Sequence, residues 1–269
     1  MTLPDAWRPE WPAPAHVRAL ITTRSGGVSR GPYDSLNLGD HVGDDPLAVA
    51  QNRAALAQAL GVRPVFLQQV HGTELVSLRA DMPDGTQADA CLSAEPGLAC
   101  TVMVADCLPV LFTDTSGSQV AAVHAGWRGL AGSAGRGVLE TSVDAWVAQA
   151  RQRDPQRTRA SIAADTLVWL GPCIGPTAFE VGPEVRAAFV TSHPAAAACF
   201  TAQPGGKWLA DLAALARQRL HAMGITQCHG NDSGARWCTV GNVSAFFSHR
   251  RDAARWGNTG RMAACIWLA

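Results

Sequence analysis

Apolar residues along this chain fall into short runs that stop at turn-forming or polar clusters, and only a few stretches carry helical spacing. Val17 to Thr23 predicts a strand closing on the turn Arg24-Ser25-Gly26-Gly27. Three further runs close on polar clusters. Val65 to Val70 ends at His71-Gly72, Leu98 to Ala105 ends at Asp106-Cys107 and resumes at Val110-Leu111-Phe112, and Val120 to Val123 ends at His124-Ala125-Gly126-Trp127-Arg128. Short, β-branched runs bounded in this way predict buried strands. Thr166 to Gly171, Phe246-Phe247-Ser248 and Met262 to Leu268 have the same character. Pro46 to Leu60 predicts a helix, with proline at its start and Gly61 as its stop. Gly132 to Arg151, Glu184 to Thr191 and Leu209 to Met223 also read as helices, the last ending at Gly224.

Residues 1–15 carry four prolines and predict an irregular segment. From 16 to 269 no long polar linker, repeat or low-complexity tract divides the chain, which points to a single domain. Strands and helices interleave without a strict alternation, so the expected class is mixed α/β (α+β) with mixed sheets. Hydrophobic residues make up 47% of the 269, enough for a sizeable core. Formal charge cancels, 22 basic against 22 acidic residues, which argues against nucleic acid or an anionic membrane as partner. No run approaches the ~20 apolar residues of a membrane span, and the first residues lack the pattern of a secretory signal. A cytoplasmic protein is the expectation. The eight cysteines fall singly, with no Cys-x-x-Cys pair, so disulfide frameworks and zinc knuckles are poorly supported.

His71, Cys107 and His124 each follow a strand-like run, where regular backbone ends and side chains can converge. Two imidazoles and a thiolate make a borderline-soft donor set, and three protein ligands leave one tetrahedral corner open, as in catalytic zinc sites. Separations of 36 and 17 residues match no compact ligand motif, so residue type and position carry the grouping. The same residues also read as satisfied strand-end histidines and a small buried thiol. Arg128 lies in Gly-Trp-Arg-Gly-Leu-Ala-Gly ahead of a helix, a setting suited to an anion such as phosphate. Arg24, Arg53 and Arg250 are weaker candidates for that role and read more readily as surface charges or ion-pair members, a reading as open for Arg128. Asp106 is the carboxylate nearest in sequence for moving a proton, and Cys173 offers a polar wall or plain packing.

Five ordered segments carry a resemblance: Gln69-Val70-His71-Gly72, Ala105-Asp106-Cys107-Leu108-Pro109-Val110, His124-Ala125-Gly126-Trp127-Arg128-Gly129, Gly171-Pro172-Cys173-Ile174-Gly175 and Phe246-Phe247-Ser248-His249-Arg250-Arg251-Asp252. Together with Thr22 to Ser29 and Ser35-Leu36-Asn37-Leu38-Gly39, they resemble the laccase-domain family, described both as multicopper polyphenol oxidases and as purine nucleoside phosphorylases. The resemblance runs from about residue 20 to the C-terminus. It implies a layered α/β/β/α fold, similar to that of certain cysteine-dependent deamidating toxins. It also implies one zinc per chain on His71, Cys107 and His124; Cys107 and His124, with the neighbouring Asp106, are then the candidate catalytic set. Asn37 and Gln69, carried by these motifs, join Arg128, Arg24, Arg53, Cys173 and Arg250 as candidate substrate or phosphate contacts.

The activity so implied is phosphorolysis of adenosine, inosine, guanosine or methylthioadenosine, with adenosine deamination beside it, by a monomer or small homo-oligomer. An alternative is a metal-free Cys-His hydrolase that edits peptidoglycan precursors, with Cys107 as nucleophile and His124 or His71 as base. Copper oxidase chemistry is disfavoured, because a multicopper centre needs many imidazoles and this chain has eight histidines with no His-x-His pair. A lone His₂Cys copper site with Met103 as axial ligand is the form that would remain. Two departures from the family bear on the pocket rim: His249 stands where Tyr is usual, and a loop from Ala253 to Asn258 exceeds the usual length before Thr259-Gly260-Arg261.

Overall fold

The structure, a computed structural model, describes residue 3 and residues 5–269. Met1, Thr2 and Pro4, part of the segment expected to be irregular, lie outside the described residues. Within the rest of that segment Trp7 makes an isolated bridge to Ile21.

Two sheets form the centre. The first has four strands in the order β1 (Val17–Ile21), β15 (Met262–Leu268), β7 (Leu98–Val104) and β2 (Arg63–Val65). The second has six: β14 (Gln227–Gly230), β10 (Thr166–Leu170), β8 (Leu108–Asp114), β9 (Val120–Ala125), β6 (Ala90–Ser93) and β4 (Leu75–Ser77). Both mix parallel and antiparallel pairs; β2 runs parallel to β7, for example, and β15 antiparallel to it. Smaller sheets pair β3 (Leu67–Gln68) with β5 (Thr86–Gln87), and order β11 (Glu180–Val181), β13 (Trp208–Ala210) and β12 (Phe200–Ala202).

The alternation of side chains along each strand divides the interior. In β15, Met262, Ala264, Ile266 and Leu268 face the second sheet, meeting Cys91, Leu111, Val120, Ala122 and Trp169 in a central core. Ala263, Cys265 and Trp267 point the other way, onto Leu56 and Leu60 of α1 (Pro46–Leu60). The outer face of the second sheet, including Val110, Phe112, Val123 and Val168, packs on α3 (Val138–Arg153), α5 (Pro183–Val190) and α6 (Leu212–Ala222). The order of layers is therefore α/β/β/α. Both sheets have two covered faces, which is why their strands read as continuous apolar runs.

Helix α1 obeys its local signals throughout: Asp45 accepts from the Leu47 N–H, Pro46 opens the first turn, and Gly61 closes it at φ 69°. Elsewhere tertiary demands move the boundaries. The run expected over Val65 to Val70 breaks at Phe66, whose side chain enters the outer core while its N–H donates to Asp84. The helix expected over 132–151 forms six residues late, as α3, and a separate short helix precedes it. The five-residue α2 (Trp127–Ala131) stops at Gly132, where any Cβ would lie 1.8 Å from the Arg136 carbonyl oxygen, and α3 begins only at Val138. Leu209 pairs in β13, so α6 starts three residues later, capped by Asp211. The strand expected over 246–248 does not form, because the Arg251 guanidinium takes the Phe246 carbonyl and Ser248 caps α7 (His249–Trp256). Most of the expected 253–258 loop is accordingly helix, turning at Gly257. Helix α4 (Arg159–Asp165) and strands β4 and β6 had no legible signal. Among the described residues no helix is long and apolar enough to cross a membrane.

One buried amide ties α1 to the loop that precedes it. Asn52, 1% exposed, donates to Ser29 Oγ and to the carbonyls of Ser35 and Asn37, and accepts from the Val28 N–H. Asn52→Ala strands several buried polar groups, each costing about 1–3 kcal/mol. Chemical denaturation should show a loss of at least that size; an unchanged midpoint would refute the role.

Candidate metal centre and its cleft

The β7–β8 turn, the chain after β3 and the end of β9 meet at one edge of the sandwich. They bring His71, Cys107 and His124 together with their ligand atoms all within 4.8 Å of one another. Cys107 Sγ lies 3.7 Å from His71 Nε2, and the two imidazoles meet edge to face at a centroid distance of 4.8 Å. His124 is buried, Cys107 half-buried and His71 exposed, so the group has a closed rear and an open front. Among the described residues no other cluster of three such donors exists.

What holds the donors was not legible beforehand. Asp89, fully buried at the start of β6, accepts from the backbone N–H groups of Val70, His71 and Gly72 and from His124 Nδ1 at 2.8 Å. With Nδ1 committed, Nε2 of His124 is the nitrogen left for the centre. His71 at φ 59° and Asp106 at φ 87° occupy the left-handed region, which turns each chain sharply and is costly for residues with a Cβ. Glycine is required by close approach at two points of the third motif. A Cβ on Gly126 would sit 2.7 Å from His71 Cδ2 and 3.0 Å from Cys107 Sγ, and one on Gly129 would lie 2.6 Å from the Gly72 carbonyl oxygen.

Charge is organised to match. Burial pushes the Cys107 thiol up, yet the positive charge and hydrogen bonding of His124, then of His71, outweigh it and bring the pKa to about 6. Burial lowers His124, but Cys107 and Asp89 raise it to about 9. Without a metal the site holds a thiolate beside an imidazolium between those two values. Burial also opposes ionisation of Asp89, and is outweighed by His124 and the N–H groups of Gly72 and Val70, so its carboxyl titrates below the usual range. A thiolate and two imidazoles, one oriented by a carboxylate, suit a borderline-soft divalent ion.

The centre lies in a cleft of ≈ 430 Å³. Met103, Ala105, Trp127, Ile174, Phe179 and Leu212 give it apolar walls, and His41, Gln69, Arg128, His249, Arg250 and Arg261 bring polar groups. The candidates from sequence divide here. Arg128 is exposed, its guanidinium 4.4 Å over the Trp127 ring, and no protein acceptor meets it among the described residues. It does not stand at the start of a long helix, since α2 is only five residues. Arg250 donates from Nη1 to the Ala178 and Glu180 carbonyls. The Gln69 amide is committed at both ends to the Met103 backbone. Asp106 accepts from Thr239 Oγ1 and from the Arg250 N–H, both at 2.6 Å, which fastens the Cys107 turn to α7.

Four candidates lie outside the cleft lining. Arg24 donates to the Asp34 and Val243 carbonyls, Arg53 meets Asp40 and the Leu38 carbonyl, and Asn37 is wholly buried, bracing Gly39, Asp44 and Arg261. Cys173 is buried beside Asn231, and desolvation keeps its thiol well above the ordinary range. Met103 sulfur packs in the outer core and accepts from Arg53 Nη2 at 3.9 Å. Asp89 and Arg261 are the residues sequence reasoning missed. Arg261 ends the Thr259-Gly260-Arg261 motif, whereas no pattern marks Asp89.

The family model described as "Multi-copper polyphenol oxidoreductase laccase" matches residues 18–269. A purine nucleoside phosphorylase of Pseudomonas aeruginosa is 51% identical over 268 residues, covering 98% of this chain and 99% of that protein. The purine nucleoside phosphorylase YfiH of Escherichia coli is 48% identical over 262 residues, 97% of each chain. A crystal structure of a Neisseria meningitidis protein superimposes with a TM-score of 0.82 at 44% identity, covering 98% of this chain and 99% of that one.

Two outcomes are expected. Asp89→Asn removes the charge behind His124 and turns an amide donor toward backbone N–H groups, so metal affinity should fall about 10–100-fold; equal affinity in a competitive chelator titration would refute the positioning role. Only the thiolate is nucleophilic, so alkylation of metal-free Cys107 by iodoacetamide should climb through pH about 6 and level off above it. A rate still climbing near pH 9 would contradict the ion pair.

Proposed function

The chain belongs to the multi-copper polyphenol oxidoreductase laccase family, and from that premise we propose that it is a purine nucleoside phosphorylase holding one zinc ion on His71, Cys107 and His124. The carrying observation is the open His₂Cys cluster, the one such group among the described residues, lining a cleft with apolar walls and cationic side chains. Relatives named purine nucleoside phosphorylases, at up to 51% identity over almost the whole length, support the activity. The cleft volume falls within the range of about 300–1,000 Å³ usual for small-molecule sites.

Phosphorolysis breaks the bond between C1′ of ribose and the purine nitrogen and forms one between C1′ and a phosphate oxygen. Trp127, Phe179 and Ile174 supply flat apolar surface for a purine, and Arg128 and Arg250 supply positive charge for phosphate at the rim. Adenosine, inosine, guanosine and methylthioadenosine are the proposed substrates, with adenosine deamination as a second reaction at the same place. When bound, the ion supplies Lewis acidity, polarising an oxygen or acidifying water. Asp106 acts on this reading by holding the Cys107 turn against α7, since both its oxygens already accept hydrogen bonds. Copper is disfavoured: one cluster of three donors holds one ion, and the Met103 sulfur is turned into the outer core. The action is placed in the cytoplasm, where free nucleosides and phosphate occur together.

A second reading has its own observation. Asp89, His124 and Cys107 form a carboxylate–imidazole–thiolate series, the pattern of a cysteine hydrolase. On that reading Cys107 attacks an amide carbon, His124 returns a proton to the leaving amine, and a peptidoglycan precursor is the target. Metal-replete protein incubated with adenosine should release adenine and ribose 1-phosphate only when phosphate is supplied, and a chelator should abolish the release. Activity that survives chelation but not iodoacetamide favours the hydrolase; no phosphate-dependent base release from any of the four nucleosides rejects the phosphorylase.

A further inference from the structure

Arg261 is the cleft residue whose setting neither the fold nor the metal cluster explains. Its backbone is paired on both sides with the 37–38 segment: its N–H donates to Asn37 Oδ1 at 2.9 Å, and its carbonyl accepts from Leu38 N–H at 3.1 Å. The side-chain stem crosses Gly39, where a Cβ would stand 2.7 Å from Arg261 Cγ. One end of the guanidinium is then fixed, because Nη1 donates to the Thr259 and Gly260 carbonyls at 2.8 and 3.3 Å. Among the described residues Nε and Nη2 meet no protein acceptor, and no carboxylate forms an ion pair with it.

Other sheltered arginines are occupied elsewhere. Arg53, Arg219 and Arg251 each meet a carboxylate within 3.2 Å, Arg24 and Arg217 spend both ends of the guanidinium on backbone carbonyls, and Arg186 stacks on Trp208; among these, Arg261 lines the cleft. Cys107 and Asp106 act on the Arg261 charge without bonding to it, and a half-buried guanidinium with unfilled donors is costly unless an acceptor completes it. Arg261 lines the same cleft as His71 and Cys107. A guanidinium edge with two parallel donors matches two oxygens of a tetrahedral anion. Arg128, by contrast, is exposed and stacked on Trp127, with no backbone contact to hold its orientation.

We propose that Arg261 is the inner phosphate contact of the cleft, receiving two oxygens of the anion on Nε and Nη2, with Arg128 serving only at the mouth. The Asn37, Gly39 and Thr259-Gly260 contacts hold the guanidinium in its receiving orientation before phosphate arrives. This assignment rests on the phosphorylase reading for its biological meaning, but its physical content is the binding of inorganic phosphate.

Inorganic phosphate titrated calorimetrically into the metal-loaded full-length protein tests it directly, comparing wild type with Arg261→Gln, Arg261→Lys and Arg128→Ala. Arg261→Gln should weaken phosphate binding about tenfold or more, with metal content and melting temperature retained. In steady-state assays the phosphate KM should rise while the nucleoside KM holds. Arg261→Lys, which keeps the charge but not the paired donors, should fall between, and Arg128→Ala should lose less than Arg261→Gln. Equal phosphate affinity in wild type and Arg261→Gln overturns the assignment, as does a parallel loss of nucleoside and phosphate affinity. Should Arg261→Gln fail to fold, Arg261→Lys decides alone, with unchanged phosphate affinity and KM counting against the assignment. If no nucleoside is cleaved, the phosphorylase reading falls, and the calorimetric comparison still decides whether Arg261 binds phosphate; a wild type that binds none overturns it.

Discussion

The carboxylate of Asp89 sets where two of the three donors stand. It is wholly buried, and four hydrogen-bond donors converge on it: the N–H groups of Val70, His71 and Gly72, and His124 Nδ1. A buried charge is tolerated only when it is fully satisfied, so the 70–72 turn and the His124 ring are held to one geometry. The same contact selects the His124 nitrogen that faces Cys107. Position and chemistry thus follow from one group.

Close packing completes what Asp89 begins. The α/β/β/α layering brings the chain after β3, the β7–β8 turn and the end of β9 to a common edge, because β8 and β9 pair with Pro109 opposite His124. Gly126 then lets the His71 ring and Cys107 sulfur lie against the backbone, and Gly129 seats α2 on the Gly72 carbonyl. Left-handed backbone at His71 and Asp106 is sustained by Asp89 on one side and by Thr239 and Arg250 on the other. Strain at the site is held by the frame around it.

The apolar walls and the charged rim come from parts of the chain far apart in sequence. Phe179 and Ile174 follow β10, Leu212 opens α6, and His249, Arg250 and Arg261 belong to the last twenty or so residues. The cleft is consequently a joint product of the whole sandwich. The polar contacts of Asn37 with Gly39, Asp44 and Arg261 make an N-terminal loop part of its wall. A motif residue far from any ligand can still shape recognition through such a brace.

Much of this was written in the sequence. The buried strands β1, β7, β9, β10 and β15 announced themselves as apolar runs bounded by turn residues, and α1 carried both of its end signals, because those patterns are local. His71, Cys107 and His124 were legible from residue type, strand-end position and family motifs. Tertiary structure alone decided the rest. Helix α7 overrode a strand-like Phe246-Phe247-Ser248, since the Arg251 guanidinium claimed the carbonyl that pairing would have used. Asn37, Arg24, Arg53 and Cys173 lie outside the cleft lining, whereas Asp89 holds His124 from behind and Arg261 lines the cleft. Hydrophobic period and end signals depend on neighbours along the chain, but the partner of a buried charge is set by what folds against it.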